Sequence, residues 1–169
     1  RAHCAGRRGV ASGRGAAKRH GARQVGSRCA ASVPRLSGAK PAPAVMTRVG
    51  STGVTFVWDA QLSRYVRTER GQRILTASGA PLAKPNVLVQ FCTVNVDRSD
   101  VDVRGNPSAF TKSVGSGRVV LFRNGKRIEG NWSRSSITAP TTFTDAAGKA
   151  LLFAPGGTFV ALARPGAPA

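Results

Sequence analysis

The sequence predicts a mostly β protein: a small antiparallel sheet domain of hairpins, partly barrel- or sandwich-like, preceded by a disordered basic tail. Three observations carry this expectation. Composition changes along the chain, from an Ala/Gly/Arg-rich first quarter without aromatic residues to a β-branched and aromatic remainder. The stretch "RVVLFRNGKRIEGNW", Arg118 to Trp132, sets alternating runs on either side of an Asn-Gly pair, a strong short-range hairpin signal. Short apolar runs recur between Gly/Pro turns, and no window has a helical period.

Residues 1–46 have no hydrophobic period. Such a segment buries too little apolar surface to offset its conformational entropy, so it is expected to be disordered, closing on the Pro-rich "GAKPAPA". Three origins fit it: a basic arm for nucleic acid or another polyanion, a linker from a missing domain, or GC-rich codons read out of frame. The β domain is expected over residues 52–165.

"VTFVWDAQLSRYVRT" reads as a hairpin turning at "DAQLS", with Val54, Phe56 and Trp58 on one face by period two. After the loop "ASGAPLAKP", the run "NVLVQFCTVNV" is apolar enough for a central strand buried on both faces. Cys92 lies inside it as a small core hydrophobe. "DRSDVDVRGNPSAF" reads as a polar loop. Later strands are expected around "TTFTD", "KALLF" and "GTFVALA", with turns at "AAGK" and "APGG".

The Asn-Gly pair specifies a type I′ turn, and a two-residue loop fixes the register. Arg123 then faces Lys126, Phe122 faces Arg127, Leu121 faces Ile128, Val120 faces Glu129 and Val119 faces Gly130. One face, with Val119, Leu121, Ile128 and Trp132, is core. The other carries Arg118, Val120, Phe122, Arg127, Glu129 and Asn131, with Glu129 in reach of Arg127 and Arg118 and Arg127 lying across Phe122. Arg123 and Lys126 are expected to be solvated at the tip. With Arg127 they are the candidate contacts for an anion or partner.

The chain of 169 residues has a formal charge of +19, which points to polyanions or anionic surfaces. Residues 1–50 carry 11 basic and no acidic side chains; residues 51–169 carry 15 basic and 7 acidic, a net of +8 (15 − 7). Both histidines, His3 and His20, fall in the tail, so a Ser-His-Asp or Cys-His site inside the β domain is excluded by inventory. Three cysteines, Cys4, Cys29 and Cys92, make no disulfide framework, and with the histidines they lack zinc spacing. Asp97, Asp100 and Asp102 suggest a calcium loop. Counted from Asp100, however, the fifth position is Arg104 and the twelfth is Thr111. No metal and no cofactor is therefore expected. No run reaches the ~18 apolar residues of a membrane span, and no signal-peptide core follows Arg1, so if the protein is exported its signal is expected upstream of Arg1.

In order along the chain come Asn86-Val87, Gly115 and Gly117, Asn124-Gly125-Lys126, Gly130 and Trp132, Ala139-Pro140 through Gly148, and Pro155-Gly156. This series, over roughly Val54 to Ala163, resembles the C-terminal domain of the YerB-like lipoprotein family (domain of unknown function 3048). Phe159 stands where the family usually has Trp, and the family's larger N-terminal domain has no counterpart. The resemblance implies an exported bacterial protein, often lipid-anchored, at the cell envelope, with no known reaction; the Arg/Ala/Gly/Pro-rich composition adds the expectation of a high-GC bacterium. Neither Cys4 nor Cys29 follows an apolar run, so neither takes the role of anchoring cysteine.

The expected function is a non-catalytic binding or scaffold module of an envelope lipoprotein. Its partner would be another envelope protein or an anionic wall polymer, and it would touch a membrane only through an upstream lipid anchor. Two alternatives remain: nucleic-acid or other polyanion binding through the tail, and a hydrolase whose carboxylate pair, drawn from Asp59, Glu129 or Asp145, is completed by a missing N-terminal domain.

Overall fold

The computed structural model describes residues 38–169. In chain order the strands are β1 (Lys40–Pro41), β2 (Ala44–Val49), β3 (Thr52–Asp59), β4 (Arg64–Glu69), β5 (Gln72–Arg73), β6 (Ala83–Lys84) and β7 (Asn86–Phe91). They continue with β8 (Val94–Val101), β9 (Pro107–Thr111), β10 (Gly115–Arg123), β11 (Lys126–Arg134), β12 (Thr142–Asp145) and β13 (Thr158–Ala163). The first sheet has the order β1-β11-β10-β7-β13, with β12 also on β11. The second runs β2-β3-β4-β5, with β6 on β4, and β8 pairs with β9 as a separate ribbon.

The first sheet is a middle layer. Val87, Val89, Phe91, Val120 and Phe122 turn one face of it to Val45, Phe56 and Tyr65 of the second sheet. Leu88, Val119, Leu121 and Trp132 turn the other face to Leu151 and Phe153. This explains the near-continuous apolar character of β7, where all six residues are buried: both faces are covered, and the two polar residues it carries, Asn86 and Gln90, are themselves buried. The hairpin β10–β11 has the register set by its turn, from Arg123↔Lys126 to Gly115↔Arg134, with Asn124 at φ 53° and Gly125 at φ 67°. Its second face is less mixed than its sequence suggests, because Val120 and Phe122 are core there.

Three contacts lock the layers. Asn86, fully buried, accepts from the Ala154 N–H at 2.8 Å and donates to the Ala154 carbonyl at 2.9 Å, which fixes the approach to β13. The Trp132 indole N–H donates to the Phe91 carbonyl at 2.9 Å. At Gly130 a Cβ would stand 2.1 Å from the Thr144 carbonyl oxygen; only glycine lets β12 close on β11.

The structure corrects several expectations. Residues 40–46, assigned by composition to the tail, form β1 and the first half of β2, because Val45 and Thr47 find a core face; residues 1–37 lie outside the described residues. The polar "loop" after residue 96 is the ribbon β8–β9, whose pairing satisfies its backbone while leaving its side chains exposed. The apolar run read as one strand ends at Phe91 and resumes as β8 in another sheet. "KALLF" forms only an isolated bridge, Thr144↔Ala150, and serves as cover for the second core. The sheet is not wholly antiparallel, since β13 runs parallel to β7.

Candidate functional site: the hairpin tip and the adjoining sheet edge

The three basic residues singled out around the turn have different fates. Arg123 is not solvated: it is fully buried, and burial pulls its guanidinium below the ordinary arginine value. The tip is closed from outside. The indole of Trp58 lies against Gly125, the Ala42 N–H donates to the Gly125 carbonyl at 2.8 Å, and the Tyr65 hydroxyl donates to the Ala42 carbonyl at 2.9 Å. Lys126 remains exposed. Arg127 is half-buried, donating to the Ala169 carbonyl at 3.1 Å and standing 3.5 Å from Glu129. The cation–π contact expected for Arg127 is made instead by Arg118, whose guanidinium lies 4.8 Å from the Phe91 ring centre; Arg118 also reaches Glu129 at 3.7 Å.

Arg127 belongs to a cleft that sequence reasoning missed. Along the open side of β11, β1 pairs with Lys126 and Arg127, and β12 pairs with Gly130 through Ser133. Ile128 and Glu129 are left between the ends of the two short strands. There a cleft of about 400 Å³ is lined by Lys40, Arg127, Ile128, Glu129 and Asp145, among others. Two cations and two carboxylates around an apolar floor suit a partner that brings both signs of charge, or an anionic group met by Lys40 and Arg127. The sequence named Arg127, Glu129 and Asp145 separately, without bringing them together, and Lys40 fell within the segment assigned to the tail.

The carboxylates are occupied with structure. One Asp145 oxygen accepts the N–H groups of Ala147 and Lys149, both at 2.9 Å. Asp59 accepts from the Leu62 N–H and pairs with Arg73 at 2.7 Å; the backbone N–H and the guanidinium hold its carboxyl below the usual range. Asp97 is lowered chiefly by the Ser99 hydroxyl and Asp102 by the Asn106 side chain. Both cap their own loops, and no group of three metal-ligating side chains occurs among the described residues. Cys92 is buried, and desolvation raises its thiol. A second groove, about 530 Å³, is lined by Ser116, Ser133, Arg134, Ser135 and Thr142; its Arg134 is turned to the carbonyls of Ala139 and Ile137.

The sequence profile of the family described as "Protein of unknown function (DUF3048) C-terminal domain" matches residues 45–160. The crystal structure of the YerB protein from Bacillus subtilis is similar in fold, with a TM-score of 0.52 and 22% identity. The match covers 69% of this chain but 38% of that one, so the chain spans well under half of that relative. No curated protein matches it in sequence.

Proposed function

The chain belongs to the DUF3048 C-terminal domain family, and from that premise we propose that it is a non-catalytic binding module of an exported, lipid-anchored envelope protein. The observation that carries the binding reading is the cleft on the β11 edge, where Lys40 and Arg127 stand on a sheet fixed from both faces. The net charge of +8 over residues 51–169 (15 − 7) favours an anionic wall polymer as partner. Titration of the full chain with a purified phosphodiester wall polymer tests it. Binding should weaken as salt rises and be lost in Lys40→Glu/Arg127→Glu; equal binding by that variant would refute the cleft's role.

A hydrolase reading has one observation behind it, since Glu129 and Asp145 line the same cleft. Against it, Asp145 spends one oxygen on the N–H groups of Ala147 and Lys149, so that oxygen is committed to its own turn and not to a substrate. Activity against glycoside or phosphodiester model substrates, lost in Glu129→Gln and in Asp145→Asn, would revive it. Polyanion binding through residues 1–46 is a separate reading. It requires steep salt dependence of DNA affinity that disappears when residues 1–37, which precede β1, are removed.

A further inference from the structure

Resting on the binding reading above, we propose that the cleft on the β11 edge selects a dipolar repeat of the anionic polymer: a phosphodiester that carries an ammonium group, with the phosphate set against Lys40 and Arg127 and the ammonium against Asp145.

The charges of the cleft lie on opposite faces of the first sheet. Side chains alternate along a strand, and residues opposed across an antiparallel pair share a face. Arg127 and Glu129 stand opposite Phe122 and Val120, on the face turned to the second sheet. Lys40, opposite Arg127, belongs to that face as well. Ile128 and Gly130 stand opposite Leu121 and Val119, on the other face. Asp145 is opposite Gly130, so it shares the face of Ile128. Yet Lys40, Arg127, Ile128, Glu129 and Asp145 line one cleft. That cleft therefore passes round the edge of β11, between the ends of β1 and β12, from a cationic side to an acidic one.

The two sides differ in what they leave available. On the cationic side Glu129 stands 3.5 Å from Arg127 and 3.7 Å from Arg118, so two guanidiniums balance one carboxylate. Lys40 is then a surplus cation, and its ammonium has no ion pair or hydrogen bond among the described residues. On the other side Asp145 is the one charged group among the lining residues. Its first oxygen is committed to the N–H groups of Ala147 and Lys149; the second has no partner among the described residues. A purely anionic segment filling this cleft would satisfy Lys40 and Arg127 and press a like charge on Asp145. An ammonium joined to the segment turns that contact into an attraction. Matched signs select a partner, and like charges brought together reject one. Ile128, half-buried between the two sides, offers apolar surface to the link that joins the two charges. At about 400 Å³ the cleft is near the small end of ligand sites, roughly 300–1,000 Å³, so it reads one repeat and its substituent, not a length of polymer.

Isothermal titration of the full chain compares two glycerol-phosphate oligomers. One is esterified with alanine, whose amine is free and protonated; the other is the same oligomer with that amine acetylated. The free-amine oligomer should bind about fivefold tighter, the upper end for one partly exposed ion pair. General attraction to a basic chain favours the more anionic, acetylated oligomer, so this order of affinity is diagnostic. Asp145→Asn keeps an acceptor oxygen for the turn and should bring the two affinities together or reverse them. Asp97→Asn, the same change of charge on the ribbon, should keep the preference. Equal affinities, or a preference for the acetylated oligomer, overturn the proposal; if Lys40→Glu/Arg127→Glu still abolishes binding, the anionic-polymer reading stands without it. A preference that survives Asp145→Asn overturns the placement of the ammonium. Alanyl-alanine binding as tightly as the free-amine oligomer overturns the proposal in favour of a peptide. Binding of neither oligomer removes both readings.

Discussion

Replacing Asn86 by Ala removes both partners of the Ala154 peptide groups. Asn86 is fully buried, Ala154 is also buried, and the two bonds are 2.8 and 2.9 Å long; a longer bond from the Asn86 amide reaches the Gly157 carbonyl at 3.4 Å and adds little. Each buried group left without a partner costs about 1–3 kcal/mol, so the variant should lose roughly 2–6 kcal/mol of a total near 5–15. Urea unfolding followed by the fluorescence of Trp58 and Trp132 reads this directly. Asn86→Asp sharpens the test. It keeps an oxygen to accept from the Ala154 N–H but sets a second oxygen against the Ala154 carbonyl unless the carboxyl is protonated. That raises its folded pKa above the unfolded ~3.9. Stability is then fully present below the unfolded value and lost as pH rises through the folded one, so the Asp variant should recover on acidification while the Ala variant does not. A loss under ~1 kcal/mol for Ala, or a pH-independent Asp variant, would refute the clamp.

Trp132→Ala should cost ~3–5 kcal/mol as a large-to-small core change, and Trp132→Phe ~1–3 by orphaning the Phe91 carbonyl; both are read by urea unfolding, and a loss below ~1 kcal/mol for Ala would mean the hairpin faces are misassigned. Gly130→Ala drives a methyl into the Thr144 carbonyl and should cost about 1–3 kcal/mol or more, with faster hydrogen exchange along β12. Tyr65 is the chain's single tyrosine, and burial pushes its phenol up. Ultraviolet titration of the folded protein should therefore show no tyrosinate at pH ~10, the unfolded value. Because the folded pKa is raised, its contribution is intact below that value and stability falls as pH rises above it.

Local chemistry made much of the fold legible. The Asn-Gly turn fixed nine residue pairs of the hairpin, and the apolar run at residues 86–91 marked the strand buried on both sides. The motif series that carries the family resemblance is largely spent on folding: Asn86 clamps a loop, Gly130 admits β12, and Trp132 reaches Phe91. This is why the series names a family and identifies no site. What stayed hidden depends on distant segments meeting. Arg123 is buried where the end of β10 pairs with Asn86 of β7, and the tip beyond it is closed by Trp58 and Ala42 against Gly125; no local pattern encodes either neighbour. β13 chooses β7 across about seventy residues, and the cleft exists only because β1 and β12 stop short of each other on β11. The ribbon was missed for another reason: its side chains face solvent on both sides, so it has no apolar alternation to find.

The closed hairpin tip also decides where this chain accepts foreign sequence. An Asn-Gly turn between two long strands would ordinarily be the natural place to insert an epitope tag or a reporter. Here Gly125 is pinned by Trp58 and by the Ala42 N–H, and an insertion would have to pry the two sheets apart. The ribbon's end is the opposite case. Asp102 closes it through its own hydrogen bonds to Arg104 and Asn106, and Val103 is fully exposed. A probe placed between Val103 and Arg104 leaves both cores untouched, which makes that point the practical handle for labelling the protein or tethering it to a surface.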